Sequence, residues 1–152
     1  MNYRDQFFLK LLVLCFIGLG LSSARIFAME HVGMVKNISG DVQIQRGGVL
    51  IPAHPGVKLM NADILITRAK GAAGVVFIDG STLAIGPDTQ FNIKGYQFEP
   101  DIKAYDFSMY LTQGSALYTS GKIGKLSPDS VKISTPRATV GVRGTRFIVK
   151  VQ

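Results

Sequence analysis

The chain has 152 residues, a formal net charge of +7 from 17 basic and 10 acidic residues, and one cysteine, Cys15. That length fits one domain. A single cysteine excludes an intramolecular disulfide. The basic residues are spread singly (Lys36, Arg46, Lys58, Lys94, Lys132), which is the pattern of a solvated face and not of a nucleic-acid patch.

Arg4 and Lys10 precede an apolar run from Leu11 to Leu21, and small residues follow at Ser22-Ser23-Ala24 and at Ala28. A basic start, a short apolar segment and small residues at a cleavage point predict a helical signal peptide over residues 1–28, cut after Ala24 or Ala28. The alternative is an uncleaved anchor over residues 7–28 with the domain facing the periplasm, although Lys10 and Arg25 interrupt that stretch. Cys15 follows Leu14 inside the apolar run, which is not a lipidation context, and its removal leaves the mature chain without thiol chemistry. The expected location is periplasmic or extracellular.

From Gly33 glycine-punctuated alternation takes over, and one β-domain is expected over residues 33–151. Val42 and Ile44 alternate with polar residues, Arg46-Gly47-Gly48 signals a hairpin turn, and Val49-Leu50-Ile51 starts the return. Pro52 to Gly56 reads as loop, and Asn61-Ala62-Asp63 as a turn before Ile64-Leu65-Ile66. Val75 and Phe77, Leu83 and Ile85, and Phe91 and Ile93 are three apolar pairs at a spacing of eight, divided by turns at Asp79-Gly80 and Gly86-Pro87-Asp88. Such short stacked strands fit either a narrow, solenoid-like β-coil or a meander of hairpins in a β-sandwich. The coil is preferred because it keeps the three pairs equivalent.

Residues 96–106 break the rhythm around Pro100 and read as an aromatic loop. Phe107, Met109 and Leu111 resume a strand, Ser120 to Asp129 is loop by composition, and Val131 and Ile133 lead into the closing stretch. There Val140 and Val142 share a face, Gly144 bends the chain, and Phe147, Val149 and Val151 alternate to the end. The predicted class is all-β, preceded by the signal-peptide helix.

Four motifs then fall in one order: Asn61-Ala62-Asp63 before Ile64-Leu65-Ile66-Thr67, Asp79-Gly80-Ser81 with Gly86, Thr135-Pro136, and Val142-Arg143-Gly144-Thr145. In that order they resemble the FecR-domain family, from about Gly33 to Val151. Ala62 stands where the family pattern usually has glycine, which argues against a strict positive φ at that turn. The resemblance implies an all-β domain beyond the cytoplasmic membrane, in proteins that sense an outer-membrane transporter and control a sigma factor. Ten residues precede the apolar run, too few for a sigma-binding module, and no transporter-docking domain is expected after Gln152, so the likeness is expected to be to the outer β-domain alone.

The motif residues have physical roles of their own. Asp79-Gly80 suits a turn in which glycine takes positive φ and the carboxylate accepts backbone amides. Thr135-Pro136 pre-sets a second turn. Arg143, with glycine beside it, is expected to clamp loop carbonyls and not to receive an anion, so Arg143→Ala should lower the melting temperature.

A catalytic set is not recognisable. His31 and His54 lack triad or metal-ligand spacing, and Asp79 and Asp88 both sit in turn contexts. No enzyme activity, cofactor or metal is expected. Tyr96, Phe98 and Tyr105 form the candidate contact surface, either as an exposed aromatic patch or as a cover over the end of the core. The expected function is that of a non-catalytic exported envelope protein that binds another envelope protein, with a link to envelope sensing. The alternative is binding of glycan or peptidoglycan, and nucleic acid is not an expected partner.

Overall fold

The computed structural model describes residues 30–142 and 145–152. The expected signal peptide, and Arg143 and Gly144, lie outside the described residues.

Twelve strands follow in order: β1 (Gly33–Ser39), β2 (Val42–Arg46), β3 (Val49–Pro52), β4 (Lys58–Leu59), β5 (Ile64–Thr67), β6 (Ala72–Phe77), β7 (Thr82–Ile85), β8 (Gln90–Glu99), β9 (Ala104–Thr119), β10 (Val131–Ser134), β11 (Thr139–Gly141) and β12 (Arg146–Val151). One short helix, α1 (Lys122–Leu126), interrupts them. The fold is all-β, as the alternation implies.

The strands form one continuous sheet curled on itself, its two facing halves or layers joined through β9. In one, β3-β2-β5-β8 leads to the first part of β9 and then to β10 and β11. In the other, β4-β1-β6-β7 leads to the second part of β9, and β12 pairs with its opposite edge. The switch falls at Gly114: β8 pairs with β9 up to Gln113, and β7 from Ala116 onward. Gly114 takes φ 89°, and a Cβ there would come within 2.5 Å of the Thr89 backbone, so this corner requires glycine.

Beyond the corner the strand faces itself. The rings of Phe107 and Tyr118, both on β9, lie 4.9 Å apart, whereas an unbent strand would separate them by roughly 36 Å. Between the layers one apolar cluster takes residues from almost every strand, with Val35, Ile44, Leu65, Phe91, Leu111 and Ile133 fully buried. The three apolar pairs are all inside, none more than 2% exposed.

Those pairs are not rungs of a coil. Asp79-Gly80 makes an antiparallel hairpin of β6 and β7, so the first two pairs share a layer. Gly86-Pro87-Asp88 then carries the chain into the other layer, where β8 joins β5 and β9. A coil needs every turn to advance the chain the same way. Here one turn reverses it and the next crosses it over, so the hairpins form one continuous curled sheet, a half-barrel.

Two local readings also change. Residues 96–106 are not a loop: β8 runs on to Glu99, a 3-10 turn at Pro100–Ile102 follows, and β9 returns from Ala104. The rhythm is masked by a bulge between Ile93 and Gly95, which moves the buried face from Phe91 and Ile93 to Tyr96. Within 120–129, α1 buries Ile123 in the core.

Candidate functional site

The turn between β6 and β7 carries the most elaborate polar arrangement. Asp79 is 1% exposed. Its Oδ1 accepts the Ser81 amide and the Tyr96 hydroxyl, each at 3.1 Å. Its Oδ2 accepts Ser81 Oγ at 2.6 Å and the Ile123 amide of α1 at 3.1 Å. The Tyr96 hydroxyl in turn accepts the Asp79 amide at 2.8 Å. Ser81 Oγ accepts the Gly121 amide at 3.0 Å.

Gly80 has the expected positive φ, 82°. Gly121 packs so closely that a Cβ would lie 2.7 Å from the Asp79 carbonyl oxygen. This motif therefore bolts the β6–β7 turn to β8 and to α1. Burial, and then the nearby Asp79 charge, push the Tyr96 hydroxyl pKa up from its ordinary 10.0. Burial also raises that of Tyr118.

Gly86 works at the corner. Its carbonyl accepts Thr67 Oγ1 at 2.6 Å, Thr67 Oγ1 accepts the Thr89 amide at 2.9 Å, and Thr89 Oγ1 accepts the Ser115 amide at 3.0 Å. Both threonines are buried, so their hydroxyls replace the strand hydrogen bonds lost where the chain changes layer.

A second buried carboxylate, Asp63, holds the turn before β5. Arg46 grips it in a fork, with Nε 2.8 Å from Oδ1 and a terminal guanidinium nitrogen 2.7 Å from Oδ2, and the Met60 amide adds a bond of 2.8 Å. The Asp63 hydrogen bond first, and its charge, raise the Arg46 pKa against the opposing effect of burial. Ala62 beside it takes φ 68°. The turn thus keeps the left-handed geometry that glycine would favour, contrary to the expectation from the missing glycine.

At the other motifs, Thr135 Oγ1 accepts the amides of Arg137 and Ala138, and the Thr135 amide donates to the Ala138 carbonyl at 2.7 Å. This closes the β10–β11 turn before Pro136 can extend the strand. The Thr145 carbonyl accepts the Ser120 amide at 2.8 Å. The clamp expected of Arg143, and the bend at Gly144, fall outside the described residues.

The three aromatics do not form one exposed patch, although Tyr96 and Phe98 both line one cleft. Tyr96 is 7% exposed and stacks on Phe77 at 5.4 Å, so it belongs to the core. Phe98 and Tyr105 face each other across the β8–β9 hairpin, half-buried, 6.1 Å apart. Beside them a cleft of about 510 Å³ is lined by His31, Asn61, Lys94, Gln97, Phe98 and Glu99, among others. His54 is exposed on its loop. Among the described residues no three of His, Cys, Asp and Glu are placed to hold a metal.

The order of the motifs and the turns they build agree with one further finding. A family model described as FecR protein matches residues 63–152, more than half of the chain. The chain belongs to the FecR family. No curated protein and no solved structure matches it. The matched part of this FecR chain begins at Asp63, so Arg46, which holds Asp63, comes from the preceding strands β1 to β4. Those strands share the apolar cluster with the matched part.

Sequence reasoning missed Arg46, reading it as one more solvated base. No local signal marks it, because its partner lies 17 positions away, beyond strands β3 and β4. Among the described residues no helix is long and apolar enough to cross a membrane.

Proposed function

We propose that this FecR-family chain is an exported, non-catalytic envelope protein whose β-domain works by binding another protein. The family and the signal-peptide pattern of residues 1–28 support the location. The polar groups suited to catalysis support the absence of a reaction, because Asp79, Ser81, Asp63 and Arg46 are each engaged in holding turns. The observation that carries the binding role is apolar exposure on strand edges: Ile148 on β12 is 71% exposed, and Val49 and Leu50 on β3 are 62% and 52% exposed. These lie at two separate edges, the adjacent pair Val49-Leu50 on β3 and Ile148 on β12, and exposed apolar side chains at a strand edge support an interaction surface there.

Two experiments test this. Fractionation followed by N-terminal sequencing should find the chain outside the cytoplasm, beginning after Ala24 or Ala28; an unprocessed cytoplasmic chain sinks the export. Photo-cross-linkers placed at positions 49 and 148 in living cells should give discrete adducts with an envelope protein, and their absence at both sites argues against protein binding.

The cleft beside Phe98 favours a second reading, a glycan-binding module, because it combines amides, charges and an aromatic edge at one opening. Sedimentation with purified cell wall separates the two readings.

A further inference from the structure

The two layers end differently. At one end, β3 closes its layer with four residues, the last of them Pro52, and β4 closes the other with two. Short strands and a proline without an N–H resist the addition of another strand. At the opposite end the last strands are β11 and β12. Among the described residues β12 pairs with β9 alone and β11 with β10 alone. β12 has six residues and no proline.

Between them runs a groove of about 540 Å³. Its lining includes Val140 and Gly141 of β11 with Val142 just after it, and the consecutive residues Phe147 to Lys150 of β12. It therefore follows two strand edges and not one strand face. Val142 and Val149, on its walls, belong to the core cluster. Along β12 the outward row is Arg146, Ile148 and Lys150, all exposed, and the inward row is Phe147, Val149 and Val151, all at least half-buried.

Charge decides what can lie there. Neither this groove nor the adjoining cavity, which shares Lys150 and adds Arg137, has an aspartate or glutamate side chain among its described lining residues. An antiparallel second copy centred on Ile148 would set Arg146 opposite Lys150, and like charges directly opposed destabilise a strand pair.

We infer that β12 and this groove take up an extended, acidic segment of a partner protein as an added strand. Its carboxylates fall opposite Arg146 and Lys150, and its apolar side chains continue the row of Phe147 and Val149. Main-chain bonds to a free edge supply affinity in this mode, and the alternating side chains supply the choice of partner. The inference rests on the protein-binding role and specifies its surface and the chemistry of the partner.

The probe is an eight-residue peptide alternating glutamate with valine, and its lysine–valine counterpart is the control. With the acidic peptide, amide resonances of residues 146–151 in the full chain should shift to saturation, and their hydrogen exchange should slow. The lysine peptide should bind at least about tenfold more weakly, given the cost of juxtaposed like charges. Arg146→Glu with Lys150→Glu, both at exposed positions, should reverse that preference without moving the melting curve.

Shifts that avoid β12, no binding at millimolar peptide, or an unreversed preference each overturn the inference. If the peptide fails while cross-linkers elsewhere on the surface still trap an envelope protein, the inference falls and the protein-binding role stands. If neither peptide nor cross-linker finds anything, both fall.

Discussion

Asp63 and Asp79 are both buried carboxylates in turns, 0% and 1% exposed, yet they are held in opposite ways. Asp63 faces a cation, the Arg46 fork, whose side chain is 31% exposed and which also reaches the Lys58 carbonyl at 2.8 Å. Among the described residues Asp79 has only neutral donors, two amides and two hydroxyls, and all of them are buried. The first depends on one partly solvated cation and one local amide, that of Met60. The second depends on three separate pieces of chain arriving together. The difference teaches that the FecR Asp-Gly-Ser motif reports tertiary assembly, whereas the turn before β5 reports one ion pair added to a local turn bond.

The comparison breaks first at Asp79. Asp79→Ala strands the Tyr96 and Ser81 hydroxyls and the Ile123 amide inside the protein, and should cost about 4 kcal/mol. Urea unfolding measures it, and a cost below that of losing Arg46 would reverse the ranking. Arg46→Met leaves the Asp63 carboxylate without its cation. Discounted for the exposure of the arginine, the cost should be about 2 kcal/mol. Molar salt should narrow the gap between this variant and the natural chain, and leave the Asp79→Ala gap unchanged.

Tyr96→Phe sharpens the comparison from the donor side. At neutral pH it removes one donor to Asp79 and one acceptor for its amide, at about 1–2 kcal/mol. It should also change the alkaline limb. Burial raises the Tyr96 and Tyr118 pKa values above the ordinary 10.0. Above pH 10 the unfolded chain therefore binds fewer protons than the native one, and stability falls as pH rises. The tyrosine contribution is fully present below pH 10, and Tyr96→Phe should flatten the decline in urea midpoints measured from pH 9 upward. The smallest effect is expected at Ala62, which holds φ 68°. Ala62→Gly should stabilise by about 1 kcal/mol, read as a rise of a few degrees in melting temperature.

What the sequence disclosed was local. Arg46-Gly47-Gly48 does turn β2 into β3, with both glycines at positive φ, because a hairpin turn is set by its own residues. The three apolar pairs are core for the same reason, since alternation needs only neighbours. Their arrangement was hidden because two turns of similar composition do different things, Asp79-Gly80 reversing the chain and Gly86-Pro87-Asp88 crossing it. Tyr96 was misplaced because a one-residue bulge flips the parity of everything after it. The partners of Asp79 were out of reach altogether, since Tyr96 lies 17 positions away and Ile123 lies 44.

The bend at Gly114 has a kinetic consequence. Eight strands precede β9, and β7 and β8 each await a neighbour that only β9 supplies. A chain emerging N-terminus first therefore carries unmated edges and bare apolar rows until residues 104–119 have followed. Closure must then come late and all at once, slowly for so distant a set of pairings, and a chain stopped short of Gly114 should clump, not fold.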